Sequence, residues 1–258
     1  MVGCMLIVLA PSETKAAGGS GAPVVFDDRC VLSFPELNER RHAIAKDLVA
    51  LCAGDVEAAA QALKVGPAKF GDVEATAELL SAPTMPAIER YTGVQYDALD
   101  AGSLTQDQRQ CLAVGSALFG LVRANDPIPF YRLSGGSKVP SADGSVPTMK
   151  ARWGTAITDV LSAVAADELL VDLRSGTYQQ LGKVKDAVTV RVESEFPDGT
   201  RKVVSHFNKH YKGLLARELA LSGVQCASMD EVAEVAAAAG MRVEVSSGSE
   251  LTLVVPAS

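Results

Sequence analysis

Met5-Leu-Ile-Val-Leu-Ala-Pro-Ser-Glu-Thr-Lys15 sets the fold class of this chain. Its first five residues are apolar without interruption, and Pro11 ends the run. A strand with one solvated face alternates, so an unbroken apolar strand is expected to be buried on both faces, as in the centre of a sheet. The run is too short for a signal-peptide core or a membrane span, and no basic segment precedes it. The loop after it carries Glu13, Thr14 and Lys15, and loops at strand ends are where sheet proteins place functional side chains. Ser12 and Lys15 have the Ser-x-x-Lys spacing of penicillin-interacting enzymes, but the Ser-Asp-Asn and Lys-Thr-Gly partners are missing, so that reading is rejected. Gly18-Gly-Ser-Gly21 lacks the Lys-Ser/Thr that completes a phosphate-binding P-loop.

Further strands are expected at Leu169–Leu173, in the hairpin Val188–Phe196 with Arg201–Phe207 around Pro197-Asp-Gly199, and in a C-terminal hairpin of Met241–Val245 with Leu251–Val255. Ser33-Phe-Pro-Glu36 reads as a capping box that starts a helix through Cys52, and alanine-rich helices follow near Val56–Leu63 and Val73–Leu80. Thr105 is expected to open a long helix to about Val122. Met149–Val164 reads as one amphipathic helix with Trp153 in the core, and Ser228-x-x-Glu231 caps another helix to Ala239. Strands, hairpins and long helices together predict one α+β domain over residues 1–258, with a mixed sheet flanked by helices.

At 258 residues, with 48% hydrophobic and 21% charged residues, the chain has the composition of an ordinary soluble globular protein. Its net charge of −7 argues against coating nucleic acid or anionic membrane through an overall field. A local basic cleft stays open, because screening confines each charge to about 8–10 Å. The five cysteines are dispersed and form no Cys-x-x-Cys pair, which predicts reduced thiols and a cytoplasmic protein with neither zinc nor another cofactor.

Basic residues cluster in Ser205-His-Phe-Asn-Lys-His-Tyr-Lys-Gly-Leu-Leu-Ala-Arg217, at an expected helix start. Such a start presents free N–H groups and the positive end of the macrodipole, so Lys209, Lys212 and Arg217 make it a candidate anion site. The alternative is a solvated helix face. Tyr131-Arg132 is a second candidate, since a guanidinium holds carboxylate or phosphate with two parallel bonds and a phenol can complete the site. The alternative there is an arginine paired internally. Gly135-Gly-Ser-Lys138 offers backbone N–H groups beside a lysine, and Arg174-Ser-Gly-Thr-Tyr178 follows an expected central strand. His206 and His210 are one helical turn apart, but a metal wants a third ligand and only Glu218 is near, so no metal site is expected.

Six blocks in register carry a resemblance: Met5–Lys15, Tyr91-Thr-Gly-Val, Leu118-Phe-Gly-Leu-Val-Arg123, Pro129-Phe-Tyr-Arg-Leu133, Arg152-Trp-Gly154 and Val203–Arg217. Together they resemble the YaaA family of bacterial peroxide-stress proteins. The chain departs from that pattern at Glu89-Arg90, at Arg174, where the family usually has alanine, and at His206 and His210. The resemblance implies the YaaA-like "cantaloupe" fold with a basic cleft, DNA binding, and a lowering of free iron during peroxide stress. It also implies a helical, helix-hairpin-helix-like insertion at residues 34–82, where Lys64-Val-Gly-Pro-Ala-Lys-Phe70 would face a phosphate or merely join two helices. The expected cleft is lined by Thr14, Lys15, Tyr131, Arg132, Lys138, Arg174, Ser175, Tyr178, Lys209, Lys212 and Arg217. Its partner is duplex DNA or, as the alternative, a nucleotide or other small phosphate- or carboxylate-bearing substrate. In that second case Lys15 and Lys209 are base or nucleophile, Tyr178 the proton donor and Arg132 the clamp.

Overall fold

All five side chains of the first strand, β1 (Met5–Leu9), are buried, as an unbroken apolar run requires. The computed structural model describes residues 5–27, 29–204 and 207–257. Its strands continue as β2 (Thr84–Pro86), β3 (Leu112–Ser116), β4 (Gly120–Arg123), β5 (Pro127–Pro129), β6 (Leu169–Asp172), β7 (Val188–Glu195), β8 (Arg201–Val203), β9 (Arg242–Ser247) and β10 (Glu250–Pro256). The main sheet runs β4-β3-β1-β6-β7-β10-β9, with β8 paired onto β7. Its centre is parallel. β1 sets Ile7 against Leu112 of β3 and Met5 against Leu169 of β6, and β7 lies parallel to both β6 and β10. Antiparallel β4 and β9 close the two edges, while β2 and β5 form a separate small ribbon. The expected mixed sheet flanked by helices is therefore present, with an α/β-like parallel centre.

The helices are α1 (Asn38–Cys52), α2 (Val56–Leu63), α3 (Phe70–Ala77), α4 (Ala87–Arg90), α5 (Val94–Leu99), α6 (Gln106–Arg109), α7 (Met149–Trp153), α8 (Ala156–Asp167), α9 (Gly176–Gln179), α10 (Asn208–Ser222) and α11 (Met229–Ala238). Leu37, Ile44 and Leu48 of the helical 34–82 segment join the same core cluster as β1 and β3. Arg41 fastens that segment to the sheet. It is fully buried and donates to the carbonyls of Phe119 (2.9 Å), Leu121 (2.6 Å) and Ser33 (2.8 Å). Trp153 is buried as expected and donates its indole N–H to the Ala117 carbonyl at 2.8 Å.

Three sequence expectations are corrected. The capping box at Thr105 and Gln108 forms, but its helix ends at Arg109, and Leu112–Arg123 is the β3–β4 hairpin. The run from Leu112 to Val122 is apolar but for Ser116, so periodicity cannot separate a helix from buried strands. Its two glycines decide the matter. Gly120 takes the hairpin turn at φ 69°, and Gly115 has no room for a side chain, since a Cβ there would lie 2.6 Å from Cδ of Arg174. At Ser33 no capping box forms. Phe34 is left-handed (φ 60°), and Ser33 bonds instead to the Asp126 carboxylate through both its N–H and its hydroxyl. Met149–Val164 is divided by Gly154 at φ 55° into α7 and α8. The C-terminal hairpin and the Ser228 cap stand as expected.

Candidate functional site

Parallel strands in the sheet centre present their C-terminal ends on one side, where ligand sites of open α/β sheets collect. Here the loop Pro11–Lys15 leaves β1 and the loop Leu173–Tyr178 leaves β6 beside it. Ser116 ends β3 on the other flank of β1. The turn after α4 adds Tyr91, whose backbone bridges to that of Lys15, and the chain after β5 adds Tyr131 and Arg132.

Lys15 is the centre of this cluster. Its amine donates to the Ser12 carbonyl at 2.9 Å and stands over the aromatic faces of Tyr131 (4.3 Å to the ring centre) and Tyr91 (5.3 Å). The residue keeps part of its surface, but it is densely enclosed, and desolvation brings its pKa down to about 7. The Arg132 charge pushes the same way, while Glu13 and Asp72 oppose it. Cation–π attraction favours the charged form but does not reverse the loss of water. Arg132 donates to the backbone carbonyl of Glu13 and to its carboxylate, each at 2.9 Å. The guanidinium side chain is 11% exposed and the Glu13 side chain 69%, so the carboxylate is the replaceable partner. Tyr178 accepts the Gly135 N–H at 3.3 Å, and burial raises its pKa to about 12.

The remaining expected residues divide by what they touch. Thr14 donates to the Thr92 carbonyl at 3.2 Å, and with Ser12, Gly93 and Lys209 it lines a hollow of about 230 Å³ beside Lys15. Lys209 is exposed, whereas half-buried Lys212 reaches toward the Leu173 carbonyl at 3.5 Å, with a pKa lowered by burial. Arg174 is occupied. It lies buried in a two-pronged pair with Asp172, both contacts at 2.8 Å, and also donates to the Gly182 carbonyl at 2.6 Å. Ser175 is the half-buried residue that precedes α9. Arg217 is tied to the end of α5 through the Leu99 carbonyl (3.0 Å) and Ser103 (2.7 Å). Lys138 is exposed, and its backbone is anchored to Ala62 at the end of α2. The His206 half of the histidine pair lies outside the described residues. Among those described, no three His, Cys, Asp or Glu side chains gather as a metal site.

Sequence reasoning passed over Glu13 as the counter-charge, Ser116 and Tyr91 as buried hydroxyls, and Arg90 as a loop anchor. Arg90 is fully buried and donates to the carbonyls of Ala16, Gly18 and Ile128, which fixes the chain leaving Lys15. Glu13 and Tyr91 had a signal, their places in quoted blocks, and Arg90 was marked only as a departure from the family pattern. A larger cavity, about 690 Å³, opens at the opposite end of the parallel strands near Met5, Arg123 and Glu168, and none of the expected site residues line it.

Comparison with known proteins adds a lineage. A family model described as peroxide stress protein YaaA matches residues 5–244. A UPF0246 protein of Corynebacterium efficiens is 59% identical over 249 residues, which span 96% of this chain and 98% of that one. One from Corynebacterium glutamicum is 55% identical over the same shares, and one from Streptomyces coelicolor is 41% identical over 93% and 92%. Among the described residues, no helix is long and apolar enough to cross a membrane.

Proposed function

Since the chain belongs to the peroxide stress protein YaaA family, we propose that it serves the peroxide response in the cytoplasm by binding, and acting on, a small anionic molecule at Lys15. One observation carries this reading. An amine with a pKa of about 7 stands over two tyrosine rings, next to an arginine whose only carboxylate partner among the described residues is exposed. An incoming carboxylate or phosphate would take the place of Glu13 on Arg132, making two parallel charge-assisted bonds. With its pKa brought down to about 7, Lys15 has a neutral form with a free lone pair within reach near neutral pH, so it can take a proton from the ligand or attack it. The Tyr178 hydroxyl, which accepts from Gly135 and keeps its own proton to give, is the matching donor.

Calorimetric titration with inorganic phosphate, simple carboxylates and a nucleotide panel tests the reading. Saturable binding of one of them is expected, weakened about tenfold or more by Lys15→Met and by Arg132→Gln in folded protein. Unchanged binding in both variants overturns it.

A second reading, contact with duplex DNA, is favoured by a separate observation. The lysine-flanked turn Lys64–Phe70 lies beside the Gly135–Lys138 loop, where Lys64 Nζ approaches Gly136 and the Lys138 N–H bonds to Ala62. This small lysine surface suits phosphates better than the enclosed Lys15 site does. Affinity for duplex should then fall with salt by about 0.9 log units per log unit of salt for each phosphate contacted. Lys64→Ala and Lys138→Ala should make that slope shallower. In either reading the limiting of free-iron damage follows indirectly, from the bound ligand or from shielded DNA, and no side chain is assigned to iron.

A further inference from the structure

Ser116, Tyr131 and Tyr91 form a buried row of three hydroxyls, with Ser116 Oγ 2.8 Å from the Tyr131 hydroxyl and the latter 2.6 Å from that of Tyr91. The direction of these bonds follows from counting. Ser116 Oγ accepts the N–H groups of Leu118 (3.2 Å) and Phe119 (3.1 Å), which fill its two lone pairs. Its own proton must therefore go to Tyr131. A phenol that accepts a bond becomes the better donor, so Tyr131 passes its proton toward Tyr91. Three hydroxyl protons meet only two hydroxyl–hydroxyl contacts. The proton left over is that of Tyr91, which has no acceptor among the described residues. Tyr91 and Tyr131 are 2% and 1% exposed, so this donor is aimed into the protein and not into bulk water. An unmatched buried hydroxyl is unfavourable, and the ring that carries this one lies under the Lys15 amine, 5.3 Å from its centre.

We infer that the Tyr91 hydroxyl is a ligand-binding group, the donor that receives the carbonyl or carboxylate oxygen of a small organic anion held at Lys15. Tyr131 and Ser116 are positioning residues, which never touch that oxygen but orient the donor toward it. The inference rests on the small-anion reading above and adds its substrate class: a ligand with an organic oxygen acceptor next to its charged group, such as a 2-oxo acid. Inorganic phosphate, whose oxygens also accept hydrogen bonds, is the comparison that separates an organic oxygen acceptor from an anion in general.

The test uses pyruvate, acetate and inorganic phosphate as probes, with binding followed by NMR of protein carrying [ζ-13C]tyrosine. Pyruvate or acetate is expected to move the Tyr91 signal on saturation and to bind at least about tenfold more weakly to Tyr91→Phe. Ser116→Ala lets the row reverse and should weaken binding as well, whereas Ser116→Thr keeps the hydroxyl and should restore it. A merely structural serine would show no such rescue at matched stability. If Tyr91→Phe and Ser116→Ala melt as the parent does and bind both carboxylates as tightly, the inference is overturned. Loss of binding in Lys15→Met alone would then leave the small-anion reading standing. Loss in Tyr91→Phe but not in Lys15→Met or Arg132→Gln would overturn that reading and, with it, the placing of the ligand at Lys15.

Discussion

Arg174→Met separates a structural arginine from an anion clamp. The guanidinium and the Asp172 carboxylate are 1% and 5% exposed and share two 2.8 Å contacts. The arginine stem crosses Gly115 of β3, and the head also bonds to the Gly182 carbonyl, so three parts of the chain meet on it. Methionine fills most of the stem volume but leaves Asp172 buried without its partner. Removing one member of a buried pair costs about 3–5 kcal/mol. For a chain of this size that corresponds to about 6–20 °C in Tm. Urea unfolding of Arg174→Met, Asp172→Leu and the double variant would measure it. The double variant should recover much of the loss, because an apolar pair of similar volume leaves no uncompensated charge. A single-variant loss below about 1 kcal/mol, together with weakened anion binding, would refute the structural assignment and return Arg174 to the ligand.

The Lys15 pKa gives a pH signature. The folded protein holds this amine near 7 against an ordinary value of 10.5, so between those values the unfolded chain binds more protons. Stability should rise with pH across that window and the rise should vanish in Lys15→Met, as read by urea unfolding at several pH values. Amine labelling of Lys15 should reach half its limiting rate near pH 7, and Arg132→Gln should move that midpoint upward. Gly213 of α10 packs so close to α5 that an added Cβ would overlap the Gln95 carbonyl and lie 2.9 Å from Ala98 Cβ. Gly213→Ala should therefore cost about 1–3 kcal/mol in thermal unfolding. Exposed Lys209→Ala should leave stability within about 0.5 kcal/mol while weakening any anion held by Ser12 and Thr14, as titration would show.

Much of the sheet was legible because its strands announce themselves chemically. Met5–Leu9 reads as a buried strand from apolarity alone, and Val188–Glu195 reads from its alternation and its Pro-Asp-Gly turn. The β3–β4 hairpin was not legible. Its residues are apolar apart from Ser116 and the terminal Arg123, and only burial beside β1 and the crowding at Gly115 and Gly120 favour strands there. In the site, Lys15 and Arg132 were visible as charged residues in loops expected near strand ends. Their states were not, because a lysine becomes half neutral near pH 7 only through the rings and guanidinium packed around it.

From the sequence alone came the family, the buried first strand, and a polar loop following it with a lysine and an acid. What each basic residue does was decided only in three dimensions. Arg174 and Arg217 look in sequence as available as Arg132, but Asp172 lies buried against the first and the end of α5 bonds the second, while the one acid that Arg132 meets among the described residues is an exposed glutamate. A charge's role depends on which partners and how much water surround it. Asp172 stands only two residues from Arg174, yet the burial that locks the pair comes from Gly115 of β3. The partners of Arg217 and Arg132 lie more than a hundred residues away, so local spacing does not record which arginine stays available.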